Sequence, residues 1–422
     1  MTLLGLLALV GLLLLLRQPL VVLLLAIAAY VQLAWGRGQL DYILEDMWVA
    51  LDKELILSIP LFILCGNVMT QGSTARRLIR IVSAVTRPLP GGLAVAAILS
   101  CGVFAAISGS SIVTMLAIGT VMYPAMRAAG YDNRFSLGTI MSAGTLGIVI
   151  PPSIPMIIYG LVTEASITDL FLAGVGPGIL ILVVMSVYAM LQCRGMPRQR
   201  FELSELSAAL REGVWAMMMP VILLGGIYSG YFTATEAAAV ALVYAMLVEM
   251  YVHRELRLRD FWSAVLEQSK LGGSLFPVLA VALSLNIVLI EHRVPPMMVD
   301  FMKGYIDSPL MFMLLVNGLL LAVGCLMTTG EAILILAPLL APVAEAYGFN
   351  KVVFGIIMIL NLEIGFLTPP VGLNLIVAMS AFKQPFGLLV RAALPFIVLM
   401  LLCLAAVVWQ PGIAMFLVNG KL

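Results

Sequence analysis

The sequence predicts an all-α polytopic membrane protein built from two related halves. Of its 422 residues, 62% are hydrophobic and 11% are charged, against roughly 25% charged residues in an average soluble domain. The ten-residue segments of alternating polarity that a transmembrane barrel requires are absent from the sequence, so helices are the expected spans. Two distant segments of the sequence are closely similar, which indicates an internal duplication.

The duplication is carried by Ser108–Gly160, whose proline, glycine and hydroxyl positions recur at a constant offset of 218 residues (342 − 124). The matched pairs are Pro124 and Pro342, Gly130 and Gly348, Gly147 and Gly365, Pro151-Pro152 and Pro369-Pro370, and Ser110-Ser111 and Thr328-Thr329. Each copy has a hydroxyl cluster inside an apolar stretch, followed by a helical pattern that glycine and a double proline interrupt. In a membrane, such paired interruptions predict a transporter's binding site.

Composition also excludes some classes of protein. The net charge of +1 and the lack of a basic tract predict no nucleic-acid partner. The five cysteines are scattered without a CxxC motif, which is typical of small buried hydrophobes. The first sixteen residues lack a basic start and a small-residue cleavage site, so we expect Met1–Leu16 to be a membrane helix.

Residues 1–70 are expected to form scaffold helices. The predicted helices are Leu3–Leu16, Leu20–Leu33, Gln39–Leu57 and Ile56–Val68. The third has apolar residues at helical spacing with acids between them, and Trp48 suits the membrane interface. This amphipathic helix could be a plain connection or a docking arm for another subunit. Pro60 is expected to kink the fourth helix.

Residues 71–192 are predicted to hold the first transport region. Gln71–Arg87 carries four arginines. Leu89–Met126 is too long for one span and is interrupted at Ser108-Gly109-Ser110-Ser111, which predicts a re-entrant helical hairpin with this cluster at its tip. Phe135–Tyr159 is the first broken helix, and Thr168–Leu191 is a further span.

Residues 193–291 are predicted to contain linkers and scaffold helices. The segments, in order, are a polar linker Arg194–Arg211, helices Val214–Ser229 and Ala237–Val252, an amphipathic linker Arg254–Lys270 and a span Leu275–Ile290. Thr233 and Glu236 have the spacing of a capping box, so Glu236 is expected to start a helix rather than to carry a proton.

Residues 292–385 are predicted to repeat the first transport region, and residues 386–422 hold a C-terminal helix. Pro309–Pro342 is the second hairpin, with Thr328-Thr329-Gly330 at its tip. Val352–Ser380 is the second broken helix, and Leu388–Trp409 ends the membrane part.

The distribution of Lys and Arg predicts the orientation. With residues 71–87 and 194–211 in the cytoplasm, most of the 23 basic residues fall inside, and Arg37 and Lys421 are among the few outside. Both termini then lie outside. The first hairpin enters from the cytoplasm and the second from outside, so the two repeats are inverted in topology.

The residues at the tips and breaks predict a neutral polar site. Helix N-termini attract anions, whereas hydroxyl and carbonyl oxygens bind cations. The candidate substrate- and ion-binding residues are Ser108, Gly109, Ser110, Ser111, Thr145, Gly147, Pro151, Pro152, Ser153, Thr328, Thr329, Gly330, Glu363, Gly365, Thr368, Pro369, Pro370, Gly372 and Asn374. Small residues also pack membrane helices together, but repetition of the whole constellation favours a site. Glu363 is the most conspicuous acid within a span, and Glu331 follows the second tip.

Five motifs resemble the large membrane subunit, of the DctM type, of tripartite ATP-independent periplasmic (TRAP) transporters. They read IPLFILCGN, SGSSIVTMLAIGTVMYPAM, GTLGIVIPPSIPMIIYG, GIYSGYFTATEAAAVALVYA and EIGFLTPPVGLNL. The resemblance runs over nearly the whole chain. It implies an elevator-type member of the ion-transporter superfamily in the bacterial inner membrane, which takes up an organic acid together with Na⁺ as the coupling ion.

The resemblance also implies two partners, a small four-helix membrane subunit and a periplasmic solute-binding protein. It places Na⁺ at the tips and breaks, and we assign it to Ser110, Gly147, Thr329 and Gly365. No other cofactor is expected. The alternatives are a stand-alone Na⁺/dicarboxylate carrier, an intramembrane serine hydrolase and a structural scaffold. A hydrolase would need a base near Ser110, whereas His253 and His292 lie at helix ends. No enzymatic activity is therefore expected.

Overall fold

The computed structural model describes residues 2–35, 38, 40–198 and 200–420, and these form α-helices and connecting turns without a β-strand. Among these residues, eight helices are long and apolar enough to cross a membrane, and two bent helix pairs could raise the number to ten. Arg37, Gln39 and Lys421, which entered the predictions above, lie outside the described residues.

The first four helices follow the predicted order. They are α1 (Thr2–Leu15), α2 (Leu20–Ala34), α3 (Asp41–Leu51) and α4 (Ser58–Gln71). A 3₁₀ turn, Glu54–Leu57, separates the last two, so the predicted amphipathic helix ends earlier than expected. Pro60 lies in the first turn of α4, just after the 3₁₀ turn, where a proline is well tolerated, and the kink there stays a prediction.

The first hairpin and the first broken helix are present. The next helices are α5 (Thr74–Thr86), α6 (Gly92–Ser108), α7 (Ser111–Ala128), α8 (Asn133–Gly144), α9 (Leu146–Val149), α10 (Ile154–Thr163) and α11 (Ile167–Gln192). The chain turns between α6 and α7 at Gly109, which has a left-handed φ of 59°. Helices α8 to α10 form one broken segment, whose final break contains the cis Pro151–Pro152 bond.

The middle of the chain is more helical than its polar composition suggested. It forms α12 (Leu203–Tyr228), α13 (Ala234–Leu247), a π-helical turn (Val248–Val252), α14 (Leu258–Glu291) and α15 (Val294–Tyr305). The predicted linker Arg254–Lys270 is wrong, because most of it belongs to α14, a single helix of 34 residues. Such a helix is about 50 Å long, so its polar start can extend beyond a hydrocarbon layer of about 30 Å. Most of the second half of the linker Arg194–Arg211 likewise belongs to α12.

The capping box at the start of α13 is confirmed. The Thr233 hydroxyl accepts a hydrogen bond from the Glu236 N–H at 3.2 Å, and the Glu236 carboxylate accepts one from the Thr233 N–H at 2.8 Å. Glu236 therefore begins a helix, as its spacing indicated.

A buried carboxylate fixes the elbow between α4 and α5, which meet at 70°. Glu249, in the π-helical turn after α13, is fully buried and accepts hydrogen bonds from the backbone N–H groups of Ser73 at 3.1 Å and Thr74 at 3.0 Å. The Thr74 hydroxyl donates to the same carboxylate. Glu249 thus occupies the N-terminus of α5, where a negative charge is favoured by the helix dipole.

The second half repeats the sequence of elements. It contains α16 (Pro309–Gly324), α17 (Thr329–Ala346), α18 (Lys351–Gly365), α19 (Leu373–Phe382), α20 (Phe386–Trp409) and α21 (Gly412–Asn419). The second tip needs a correction, because Thr329 and Gly330 form the first turn of α17 and the chain reverses at Cys325–Thr328. The second broken helix is α18 and α19, and its break contains the cis Pro369–Pro370 bond.

The helices pack into two groups. In one, α14 packs on α2 and α3, and α13 packs on α4 and α12. In the other, α11 packs on α6 and α18, α20 packs on α8 and α19, and α17 packs on α10 and α18. Helix α5 packs on both α12 and α6, and α15 bridges α14 and α17. The inverted orientation of the repeats in the membrane stays a prediction.

Candidate functional site

The first hairpin tip holds a compact cluster of hydroxyl groups. The hydroxyl oxygens of Ser108 and Thr114 lie 2.5 Å apart, and the Ser108 hydroxyl donates to the Ser110 carbonyl at 3.4 Å. Ser108, Ser111 and Thr114 are buried. Thr114 was not among the predicted residues, although its position one turn after Ser110 on α7 is the signal that could have found it.

The first broken helix approaches this tip closely enough for backbone contact. The Gly109 carbonyl accepts a hydrogen bond from the Ile154 N–H, at the start of α10, at 3.4 Å. At Gly147 a β-carbon would collide with the Ser110 carbonyl and lie 2.6 Å from the Thr114 hydroxyl. Glycine is required there because only a hydrogen atom fits between α9 and the tip.

The second tip meets the second broken helix in the same way. A β-carbon at Gly365 would lie 2.5 Å from the Gly324 carbonyl carbon, at the end of α16. The Gly372 N–H donates to the Cys325 carbonyl at 3.2 Å, and Gly372 has a left-handed φ of 55°. The equivalent glycines of the two halves, Gly147 and Gly365, therefore perform equivalent packing roles.

Two predicted polar residues at the second tip form a cap. The Thr328 hydroxyl accepts from the Glu331 N–H at 3.4 Å, and the Glu331 carboxylate accepts from the Thr328 N–H at 3.2 Å. This reciprocal pair is a capping box at the start of α17. Both side chains therefore accept hydrogen bonds from backbone N–H groups at the start of α17. The neighbouring Thr329 supplies the buried hydroxyl at this tip.

The two halves meet between the tips. The Asn374 amide, on α19, donates to the Ser111 hydroxyl of the first tip at 2.6 Å, and both groups are buried. The fully buried Glu363 carboxylate of α18 also lies beside Ser111. On the opposite side, a β-carbon at Gly330 would lie 3.3 Å from Ile158 of α10. Each tip thus adjoins the broken helix of the other half, and we call this junction the seam.

Several buried oxygen atoms of the seam accept no hydrogen bond within the described part of the chain. They are Ser153 Oγ, Thr329 Oγ1, both carboxylate oxygens of Glu363 and Asn374 Oδ1. Buried oxygens normally have partners. An alkali cation is a hard ion that binds carboxylate, amide and hydroxyl oxygens, so this donor set suits Na⁺. The described residues contain no group of three or more His, Cys, Asp or Glu side chains arranged for a metal.

Some predicted residues do not point their side chains into the seam. The Thr145 hydroxyl donates to the Ser142 carbonyl at 2.6 Å and lies 3.8 Å from the Met400 sulfur. The Thr368 hydroxyl, in the second break, donates to the Ile364 carbonyl near the end of α18 at 2.9 Å. The four prolines of the two cis bonds shape the breaks and offer no side-chain ligand.

One polar pair beside the seam, with one buried member, was not predicted. Asn361, two residues before Glu363, is fully buried, and its amide donates to the Asn317 side chain of α16 at 2.5 Å. The Asn361 side-chain oxygen accepts no hydrogen bond among the described residues. The position of Asn361 inside an otherwise apolar helix is the sequence feature that could have identified it as a functional residue.

An all-helical membrane protein whose two interrupted helices and two hairpin tips meet at a polar seam is a secondary transporter by architecture. The family model "Tripartite ATP-independent periplasmic transporter, DctM component" matches residues 6–413. The chain belongs to this family and is a TRAP transporter large permease of the bacterial inner membrane. The family consists of permeases, and no catalytic family is indicated.

Curated relatives extend over most of the chain. It is 42% identical over 367 residues to the C4-dicarboxylate TRAP transporter large permease protein DctM of Pseudomonas aeruginosa, covering 86% of each chain. It is 34% identical to the ectoine TRAP transporter large permease protein TeaC of Halomonas elongata, covering 93% of this chain and 92% of the relative. It is 38% identical to the isethionate TRAP transporter permease protein DctMQ of Oleidesulfovibrio alaskensis, but spans only 61% of that relative.

Solved structures show the same fold at low sequence identity. The Alcanivorax borkumensis YdaH transporter superposes with a TM-score of 0.67 at 12% identity, covering 95% of this chain and 97% of the other. Neisseria gonorrhoeae MtrF superposes with a TM-score of 0.54, also at 12% identity, covering 91% and 85%. These likenesses support the all-helical fold class.

Proposed function

We propose that this chain is the membrane-spanning permease for an organic acid, and that uptake is driven by Na⁺ through an elevator movement. The observation that carries the proposal is the seam. There the hairpin tips adjoin the helix breaks, Asn374 donates to Ser111 across the two halves, and several side chains at the tips and breaks carry buried oxygens without a hydrogen-bond partner among the described residues.

The seam suits an anionic solute because four helices begin in it. Helices α7, α10, α17 and α19 start at or beside the tips and breaks. A helix N-terminus carries partial positive charge and backbone N–H groups that bind anions. The solutes named for relatives include C4-dicarboxylates, isethionate, ectoine and 2,3-diketo-L-gulonate. A small carboxylate is therefore the substrate class we propose.

The coupling ion is proposed from the oxygens. Na⁺ requires several oxygen ligands at fixed positions, and Glu363, Asn374, Ser153 and Thr329 supply buried ones. We propose Ser110, Gly147, Thr329 and Gly365 as the Na⁺ positions, one hydroxyl at each tip and one glycine at each break. Gly147 and Gly365 would contribute by allowing the tip carbonyls to approach rather than through side chains.

The elevator movement is supported by the two packing groups. Helices that form the seam pack mainly on one another. They meet the group around α13 and α14 through α5 and α15, and through contacts of α4 with α6 and of α14 with α17. A rigid group that carries the seam could slide against the other group while α5 and α15 adjust at their bends of 70° and 117°.

Two partners complete the proposed system. The family implies a small four-helix membrane subunit and a periplasmic solute-binding protein. The DctMQ relative, of which this chain spans 61%, is a longer permease, and the remainder leaves room for a fused small subunit. We propose that this chain works together with such a small subunit and receives its solute from the binding protein.

Reconstitution tests the proposal. Proteoliposomes with this chain, its small subunit and its binding protein should take up a radiolabelled C4-dicarboxylate only under an inward Na⁺ gradient. Omission of either partner should abolish most uptake. Uptake that is indifferent to Na⁺ would refute the coupling, and full-rate uptake by this chain alone would favour a stand-alone carrier.

A further inference from the structure

A cavity of about 250 Å³ opens away from the seam, where the ends of α8, α11 and α20 meet. Its polar wall consists of Arg134 at the start of α8, Arg391 near the start of α20 and Gln192 at the end of α11. Its apolar wall includes the rings of Phe135 and Phe396. The cavity is therefore amphipathic, with charge at one side and aromatic rings at the other.

The two arginines of the cavity are not neutralised by neighbours. Within the described part of the chain, neither Arg134 nor Arg391 forms a salt bridge, whereas Arg76, Arg77, Arg80 and Arg87 each do. The one acid in the lining, Asp132, caps α8 by accepting a hydrogen bond from the Phe135 N–H at 3.0 Å. The cavity thus keeps net positive charge and two guanidinium groups, which bind phosphate bidentately.

The apolar wall continues into surface that faces the bilayer. The ring centroids of Phe135 and Phe396 lie 6.3 Å apart, and those of Tyr188 and Phe396 lie 5.2 Å apart. Beyond these rings, α11 and α20 expose large apolar side chains on the stretch that leads away from the arginines. They are Val183, Val187 and Leu191 on α11, and Leu394, Val398 and Leu402 on α20.

We propose that this cavity binds an anionic glycerophospholipid. The arginines would hold its phosphate, Gln192 and Tyr188 would contact the glycerol region, and an acyl chain would lie along the exposed flanks of α11 and α20. Leu402 lies eleven residues beyond Arg391, or about 16 Å along the helix, which matches the reach of an acyl chain within one leaflet of about 15 Å. Basic pockets between spans on the cytoplasmic side suit such headgroups, and the Lys and Arg distribution predicts that side.

The bound lipid would stabilise the transport region without entering the seam. Helix α8 is the first half of a broken helix, and it packs on α20, which in turn packs on α11. A phosphate that bridges Arg134 and Arg391 would tie the starts of α8 and α20 together. The bound lipid would affect the assembly and stability of the protein, so its effect would not depend on which solute is carried.

Thermal unfolding of the purified chain with added lipid tests the site. Titration with dioleoyl-phosphatidylglycerol should raise the melting temperature of the wild type in a saturable way, whereas dioleoyl-phosphatidylcholine should not. The double variant Arg134→Gln, Arg391→Gln should need at least tenfold more phosphatidylglycerol. The control Arg194→Gln changes an exposed arginine outside the cavity and should behave as the wild type.

A second titration separates a lipid from a soluble phosphate. Glycerol 3-phosphate carries the charged group without acyl chains and should leave the melting temperature unchanged at the same concentrations. Stabilisation by glycerol 3-phosphate equal to that by phosphatidylglycerol would refute a lipid site. An equal response to both phospholipids, or an unchanged phosphatidylglycerol titration in the double variant, would refute the anionic site.

Discussion

Gly147 and Gly365 show how single residues determine the geometry of the seam. At each, a β-carbon would collide with the backbone of the adjoining hairpin tip. Gly147→Ala and Gly365→Ala should therefore push tip and break apart, with a loss of stability of about 1–3 kcal/mol, as overpacking typically causes, and a severe loss of uptake. Proteoliposome uptake and thermal unfolding measure both effects.

Gly318→Ala is the matched control for this prediction. Gly318 also lies in a helix of the transport region, but a β-carbon there meets no atom within 4 Å. Alanine favours helix by about 1 kcal/mol relative to glycine, so this variant should retain uptake and stability. Normal uptake by Gly147→Ala would show that the close approach is unnecessary for transport.

The sequence indicated which residues lie near the site better than it indicated where their side chains point. Gly147 and Gly365 were visible because the duplication aligns them, and the structure gives both the same backbone contact. Thr145 and Thr368 followed from the same reasoning, yet each hydroxyl bonds to a carbonyl at the end of the helix that precedes it. Small shifts around a helix axis decide where a hydroxyl points, and residue spacing near a break does not define them.

At the scale of elements, the elbow between α4 and α5 depends on one buried acid. Glu249→Ala would leave the N–H groups of Ser73 and Thr74 without their acceptor. Each unsatisfied buried donor costs about 1–3 kcal/mol, so we expect this variant to lose about 3 kcal/mol of unfolding free energy. Denaturant titration of the purified chain measures the loss.

Glu255→Ala serves as the control for the elbow. Glu255 pairs with Arg76 at 2.7 Å and Arg77 at 3.6 Å, but its side chain is 36% exposed. Exposed pairs contribute little, so this variant should unfold nearly as the wild type does. If both variants unfold alike, the buried carboxylate does not hold the elbow.

Breaks in the helices were easier to predict than helix lengths. Glycine, double proline and hydroxyl clusters marked both hairpins and both broken helices, because these residues end helices through backbone geometry. Helix α14 was divided in two because its polar start resembles a linker, although tertiary packing continues the helix. Helices α15 and α21 were missed, since short apolar or amphipathic segments carry little signal.

At the scale of the whole molecule, the duplication explains why the seam contains elements from both ends of the chain. Asn374 reaches Ser111 across 263 residues of sequence. Each tip and each break of the first half has a counterpart 218 residues later in the chain (342 − 124), and the two counterparts perform equivalent roles. In the elevator movement that we propose, one packing group would move against the other and expose this site alternately to the two membrane sides.

The Na⁺ dependence of uptake tests this account most directly. Ser110→Ala and Thr329→Ala each remove one tip hydroxyl, at a cost of about 1–2 kcal/mol for one polar contact, or roughly tenfold in affinity. The concentration of Na⁺ for half-maximal uptake by proteoliposomes of the complete system should rise about tenfold in both variants. Thr120→Ala should leave it unchanged, because the Thr120 hydroxyl donates to the Leu116 and Ala117 carbonyls of its own helix, α7. Wild-type Na⁺ dependence in both tip variants would contradict the account and make the tips packing elements.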